Sequence, residues 1–286
     1  MRNEDQPPAP KSGDVAEVPC DERVYFESFY KANVRGLPED RMTIGIVAEP
    51  EARFHYNALE NSLLRAFARV QPVARGATVE AWRMFQQRAE LRHLDIGSGT
   101  GHWVDFFRAV YLVASSTAVE VVPHMAEHLR GKYAGSPVSV VEANVAEPEF
   151  AALDLGGDFD LISAIGVMFH IVDDARWTRA VHQLAARLKP GGLWAVGGDF
   201  GAETRNVQFH KTDRFSTWRE HNRATGEPGT VRVNKRVRAL SRWLEVSAQA
   251  GLEVVDLVRS DTDPAFSTPE NDVLLLRRPL ESAPHV

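Results

Sequence analysis

Between Leu94 and Gly101 the chain reads Leu-Asp-Ile-Gly-Ser-Gly-Thr-Gly, three glycines at alternate positions directly after an apolar run. A run that stops on such glycines reads as a buried strand entering a turn, because glycine tolerates unusual dihedrals and lets a ligand approach the backbone. Residues 103–113 then read as a helix. Strand, glycine turn and helix in that order form half of a βαβ unit. In an open α/β sheet the turn at the strand's C-terminal end is where ligands bind.

The rest of the chain supplies the other units. Residues 117–122, 138–141, 159–165 and 193–198 are short apolar runs expected as strands. Residues 124–133 and 175–188 are amphipathic and expected as helices, the second stopped by Lys189-Pro190-Gly191-Gly192. A helix at 239–250 and strands at 252–258 and 272–277 follow. No helical pattern separates the last two, which suits an antiparallel pair at the sheet edge. The alternation predicts the α/β class, a parallel sheet with helices on both faces.

Residues 1–20 are rich in proline and charge and are expected as a mobile tail. Residues 21–90 read as an N-terminal helical cap, with a helix carrying Phe54, Leu59, Leu63, Leu64 and Phe67 and a second over 79–91. Residues 91–286 form the main domain, with 199–240 as a lid or substrate segment. The single cysteine, Cys20, excludes an internal disulfide and a cysteine-rich zinc site. The net charge of −6 argues against a general nucleic-acid binder. Residues 203–242 nonetheless hold ten Lys/Arg against four acids, either a solvated surface or an attraction for an anionic substrate. The longest mostly apolar stretch, 161–172, is too short to span a bilayer, and the N-terminus has no apolar run of a signal peptide, so a cytoplasmic location is expected. His55, His102, His124, His170, His182 and His210 show no H-E-x-x-H spacing, so no metal is expected.

The loop's spacing is G-x-G-x-G. A dinucleotide fingerprint needs glycine where His102 stands, and no Gly-Lys-Ser/Thr follows as in a phosphate-binding P-loop. Glu120, ending the second strand, is a carboxylate suited to the two hydroxyls of a ribose. Asp95 is placed to position the loop or a ligand ammonium.

With these features the sequence resembles the class I S-adenosylmethionine-dependent methyltransferases over residues 92–279. LDIGSGTG, VEVVPHM, VVEANV, FDLISAIGVMFHIVDD, LKPGGLWAV, and the closing AGLEVVDLV and NDVLLLRRP are similar to that family's motifs in the family's order. Asn144 departs from it, standing where the family often has Asp. The resemblance implies a Rossmann-like seven-stranded sheet with an antiparallel last strand, S-adenosylmethionine as cofactor and S-adenosylhomocysteine as product. It implies that Gly97, Ser98, Gly99 and Gly101 pass under the methionine part and that Glu120 holds the ribose. Asn144 and Val145 would border adenine, and Ile165 and Gly166 would lie beside the cofactor. Arg53 or Tyr56 in the cap is a candidate for the cofactor carboxylate.

Methyl transfer needs alignment of nucleophile, methyl carbon and sulfur, and an oxygen nucleophile also needs a base. His170, after the fourth strand, is the first candidate for that base, with substrate contact or packing as its other readings. Asp173 or Asp174 either orients it or caps the next helix. Phe169, and Asp199, Phe200, Asn206, Gln208, Phe209 and His210 after the fifth strand, are candidates for substrate contact. The expected activity is methylation of a small molecule, a sugar or specialised metabolite, at a hydroxyl before an amine or carbon. A nucleic-acid methyltransferase lacks support in the absent N/D-P-P-Y/F motif. A protein that binds the cofactor without transfer is the non-catalytic alternative.

Overall fold

The computed structural model describes residues 16–33, 49–70, 91–111, 113–198, 200–207, 230–259 and 272–280. The chain opens with strand β1 (Ala16–Pro19), helix α1 (Glu22–Asn33) and helix α2 (Glu49–Val70). It continues with β2 (Arg92–Ile96), α3 (His102–Tyr111), β3 (Ser115–Glu120), α4 (Pro123–Lys132), β4 (Val138–Glu142), β5 (Phe159–Ile165), α5 (Asp174–Ala186) and β6 (Leu188–Gly198). Then come β7 (Arg205–Val207), β8 (Thr230–Val233), β9 (Lys235–Val237), α6 (Leu240–Gln249), β10 (Glu253–Val258) and β11 (Asp272–Arg277).

Seven strands make one sheet in the order β10-β11-β6-β5-β2-β3-β4. β11, the last strand, runs antiparallel to both neighbours, and the pairs among β2 to β6 are parallel. This is the sheet expected from the sequence. β11 is inserted between β6 and β10, so β10 forms the edge. The central strands are buried almost throughout, and successive side chains point to opposite faces. Leu94, Ile96, Ile162, Ala164, Trp194 and Val196 face one side and pack with Trp177 of α5 and Trp243 of α6. Leu161, Ile165, Ala195 and Leu275 face the other and pack with Phe67 of α2 and Phe107 and Tyr111 of α3. Strands covered on both faces have this near-continuous apolar character.

Helix ends follow local chemistry. Asp21 accepts the Val24 N–H at 2.9 Å ahead of α1, and Asp173 accepts the Arg176 N–H at 2.8 Å ahead of α5. Such caps satisfy amides with no helical partner. Two expectations shift. Lys189-Pro190-Gly191-Gly192 lies inside β6 as an irregularity: Phe159 of β5 pairs with Leu188, then Leu161 pairs with Leu193. Ala16–Pro19, expected in the tail, is a strand because it pairs in parallel with β8. The helix expected over 79–91 lies almost wholly outside the described residues.

Candidate functional site

The chain runs from β2 outward to β3 and β4 and then returns to the far side of β2 as β5. The crevice at that reversal is where an open α/β sheet binds ligands. Here the loops after β2 and β5 touch: a Cβ on Gly97, at φ +67°, would lie 2.5 Å from Val167 Cγ2. Only glycine fits that position. At Gly101, φ +88°, a Cβ would lie 2.2 Å from the Tyr133 hydroxyl, which donates to the Gly101 carbonyl at 2.9 Å.

The loop's amides are engaged within the fold. Gly97 and Ser98 donate to the Val119 carbonyl at 2.8 and 3.1 Å, and Gly101 donates to that of Ser98 at 2.7 Å. Gly99 donates to Glu120 Oε2 at 2.8 Å, while Val122 donates to Glu120 Oε1 at 3.0 Å. Loops that cradle phosphates keep such amides for the anion; these four are already bonded. Glu120 is 2% exposed. Burial raises its carboxyl above the usual range, and the amides of Val122, Gly99 and Val121 pull against that.

Above this floor lies a partly open cleft with a cavity volume of about 160 Å³. Glu22, Phe26 and Tyr30 of α1 roof it, one helical face at four-residue spacing, with His55, Tyr56 and Leu59 of α2 beside them. Glu22 takes both amino groups of Arg176, each at 2.9 Å, and Arg176 also meets Glu147 at 2.5 Å. Burial raises the Glu22 carboxyl, with the Arg176 charge and hydrogen bond working against it. Among the described residues that line the cleft, Glu22 and Glu120 are the carboxylates, and none is Lys or Arg.

His170 lines the cleft after β5. Its Nδ1 donates to the Asn234 carbonyl at 2.8 Å. A carbonyl only accepts, so the neutral ring carries its proton on Nδ1 and its lone pair on Nε2. The rings of Phe26 and Phe169 lie 4.8 and 4.6 Å from it, centroid to centroid. The Asn234 side chain is buried, and neither its Oδ1 nor its Nδ2 has a hydrogen-bond partner.

A methyltransferase-domain family model matches residues 61–257. The chain belongs to the S-adenosylmethionine-dependent methyltransferases. Two solved structures share this methyltransferase's fold. One is the methyltransferase in a complex with the Haloferax volcanii Trm112 methyltransferase activator, at 14% identity and TM-score 0.54 over 93% of this chain and all of that one. The other is a SAM-dependent methyltransferase from Leishmania major, at 15% identity and TM-score 0.55 over 88% of this chain and 82% of that one. No protein of curated function matches the sequence.

Of the residues expected at the methyltransferase's cofactor site, Gly97, Ser98, Gly99, Glu120, Asn144, Val145, Ile165, Gly166 and Tyr56 line the cleft. Gly101 sits behind it, at the junction with α3. Arg53 does not line it: it is exposed, roughly a quarter-turn off the buried stripe of Ala52, Tyr56, Leu59 and Leu63. Phe54 and Leu64 are likewise exposed. Asp95 lies beneath the loop on the α3 side of the sheet, where Ser163 donates to its Oδ1 and Oδ2 has no partner. Since Ser163 donates there, the neighbouring His93 Nε2, 2.7 Å from Ser163 Oγ, is the donor to Ser163. Burial pushes Asp95 up to about 7 and His93 down to about 3. Asp95 therefore supports the loop from below and does not line the cleft.

Phe169 is not among the lining side chains either. Its ring packs under the Lys235 ammonium, 4.3 Å away, and against Gly198. Asp173 caps α5, and Asp174 meets Arg236 and Arg238, so neither orients His170. Asp199, Gln208, Phe209 and His210 lie outside the described residues. Within the basic segment, Arg238 is buried against the Ile171 and Val172 carbonyls at 2.9 and 3.2 Å, and Arg236 binds Asn206 and Asp174. Together with Lys235, these charges hold the loop that carries His170. Sequence reasoning missed Glu22, Phe26, Tyr30 and Asn234. Among the described residues no three metal-ligating side chains converge, and no helix is long and apolar enough to cross a membrane.

Proposed function

We propose that this methyltransferase moves a methyl group from S-adenosylmethionine to a hydroxyl of a small molecule, a sugar or specialised metabolite. The observation that carries this reading is the charge of the cleft. Two buried carboxylates, no Lys or Arg among the described lining residues, and loop amides already bonded suit a cationic nucleoside without phosphates. A dinucleotide would bring two phosphates to a lining that has no Lys or Arg among the described residues.

In this seating Gly97, Ser98 and Gly99 pass under the methionine part. Glu120, with one oxygen on each backbone amide, keeps lone pairs for the ribose hydroxyls. Asn144 and Val145 border the base, Ile165 and Gly166 flank the sulfur, and Tyr56 closes the methionine end. Bound there, S-adenosylmethionine would supply a methyl group activated by the sulfonium, with the neutral sulfide of S-adenosylhomocysteine as leaving group. His170 takes the hydroxyl proton on Nε2 as the oxygen attacks, its ring held by the Asn234 carbonyl.

The test is incubation with methyl-labelled cofactor against separate panels of hydroxyl, amine and oligonucleotide acceptors. Label on an oxygen of a small molecule supports the reading. Label on tRNA or DNA, on nitrogen alone, or on nothing despite cofactor binding replaces it.

A further inference from the structure

We infer that Glu22 accepts a hydrogen bond from the exocyclic amino group of the cofactor's base, and that the same carboxylate latches α1 over the bound nucleoside. The inference rests on the seating proposed above, with the base at the end of β4.

Three observations at that end of the cleft lead to it. Glu22 lines the cleft together with Ala143, Asn144 and Val145, and Asn144 Nδ2 donates to Glu22 Oε2 at 3.4 Å. Two neutral acceptors at that end each have one lone pair in use, and Glu22 is the charged acceptor beside them. Asn144 Oδ1 accepts from the Ala146 amide at 2.9 Å, and the Val145 carbonyl accepts from Gln183 Nε2 at 2.8 Å. Glu22 is 7% exposed, and its bidentate partner Arg176 sits on α5. Each carboxylate oxygen accepts more than one hydrogen bond, so the Arg176 pair leaves capacity for an amino group.

A carboxylate at this place also discriminates. It attracts an amino group and repels the carbonyl oxygen of a 6-oxopurine. Because the carboxylate belongs to α1 and its counter-ion to α5, base recognition and closure depend on one ion pair.

The experiment compares S-adenosylhomocysteine with S-inosylhomocysteine, which differs by a 6-oxo in place of the 6-amino group. Calorimetry is run on the wild-type chain and on Glu22→Gln. A hydrogen bond to a charged group predicts at least about tenfold tighter binding of the adenosyl ligand by the wild type. Glu22→Gln, whose amide both donates and accepts, should reduce that ratio to below about threefold. In Arg176→Met, dissociation of S-adenosylhomocysteine by stopped flow should be about tenfold faster.

Equal binding of both ligands by the wild type overturns the inference even if Glu22→Gln fails to fold. So does a Glu22→Gln protein that keeps the wild-type ratio. An unchanged release rate in a folded Arg176→Met protein overturns the latch. A wild-type chain that binds neither ligand overturns the cofactor seating itself, and the inference with it.

Discussion

The floor and the roof of the cleft are built in different ways. The floor is nearly all main chain: Gly97, Ser98, Gly99 and Gly101 bond to carbonyls and to Glu120 within two adjacent strand ends. The roof and the reacting end are side chains brought from afar: Glu22 from α1 and His170 from the loop after β5, the latter held by the Asn234 carbonyl between β8 and β9. A floor of backbone fixes a common ligand at low side-chain entropy. A roof of side chains carries what varies, the acceptor and access to it. The two regions should therefore fail differently when changed.

The largest separation is expected at His170. His170→Ala should lower kcat by about 10²–10⁴, the usual range for a lost general base, with cofactor Kd within about threefold. A small fall in kcat would mean an acceptor that needs no base, such as a neutral amine. The reverse separation is expected at Glu120. Glu120→Ala leaves the Gly99 and Val122 amides unpaired in a buried site and removes the ribose acceptor, so cofactor Kd should rise about 100-fold by calorimetry. Only a small change there would remove the floor from the account.

Asp95 tests the support beneath the floor. Its folded value, about 7 against an ordinary 3.8, means that folding favours the protonated acid. That stability is fully present below about 3.8 and is lost as pH rises through about 7. Asp95→Asn removes the ionisation, so its advantage in thermal melting over wild type should widen between those values and then level off. The limit is about 4 kcal/mol, with about 2 expected after relaxation. A gap that does not change with pH would contradict the assignment. The smallest contrast lies on α2. Tyr56→Ala should weaken cofactor binding several-fold, and Arg53→Ala should leave it within about twofold, because only the first lines the cleft.

What was legible in the sequence follows the same division. The strand-loop-helix at Leu94–Gly101 and the succession of strands and helices along the chain are local patterns of period 2 and 3.6, and they lie where they were expected, with Glu120 ending its strand. Asp95 adjoins the glycines and reads as positioning either the loop or a ligand ammonium; strand alternation sends it under the glycines, beside Ser163, which fits the first reading. Lys189-Pro190-Gly191-Gly192 reads as a turn, yet its neighbours continue the pairing across the irregularity. Glu22, Phe26 and Tyr30 did leave a signal, an acid and two aromatics at four-residue spacing after a capping Asp21. That pattern looks the same on any buried helix face. Asn234 left none, since a single Asn between short strands has no period, and its tie to His170 exists only in three dimensions.

The central claim is that the cleft selects a cationic nucleoside without phosphates. It is tested most directly by calorimetric titration of the wild-type chain and Glu120→Ala with S-adenosylmethionine, S-adenosylhomocysteine and NAD. The account predicts saturable one-to-one binding of the first two by the wild type, weakened about 100-fold in Glu120→Ala, and no binding of NAD by either protein. Binding of NAD, or equal affinity for S-adenosylmethionine with and without the Glu120 carboxylate, would contradict it.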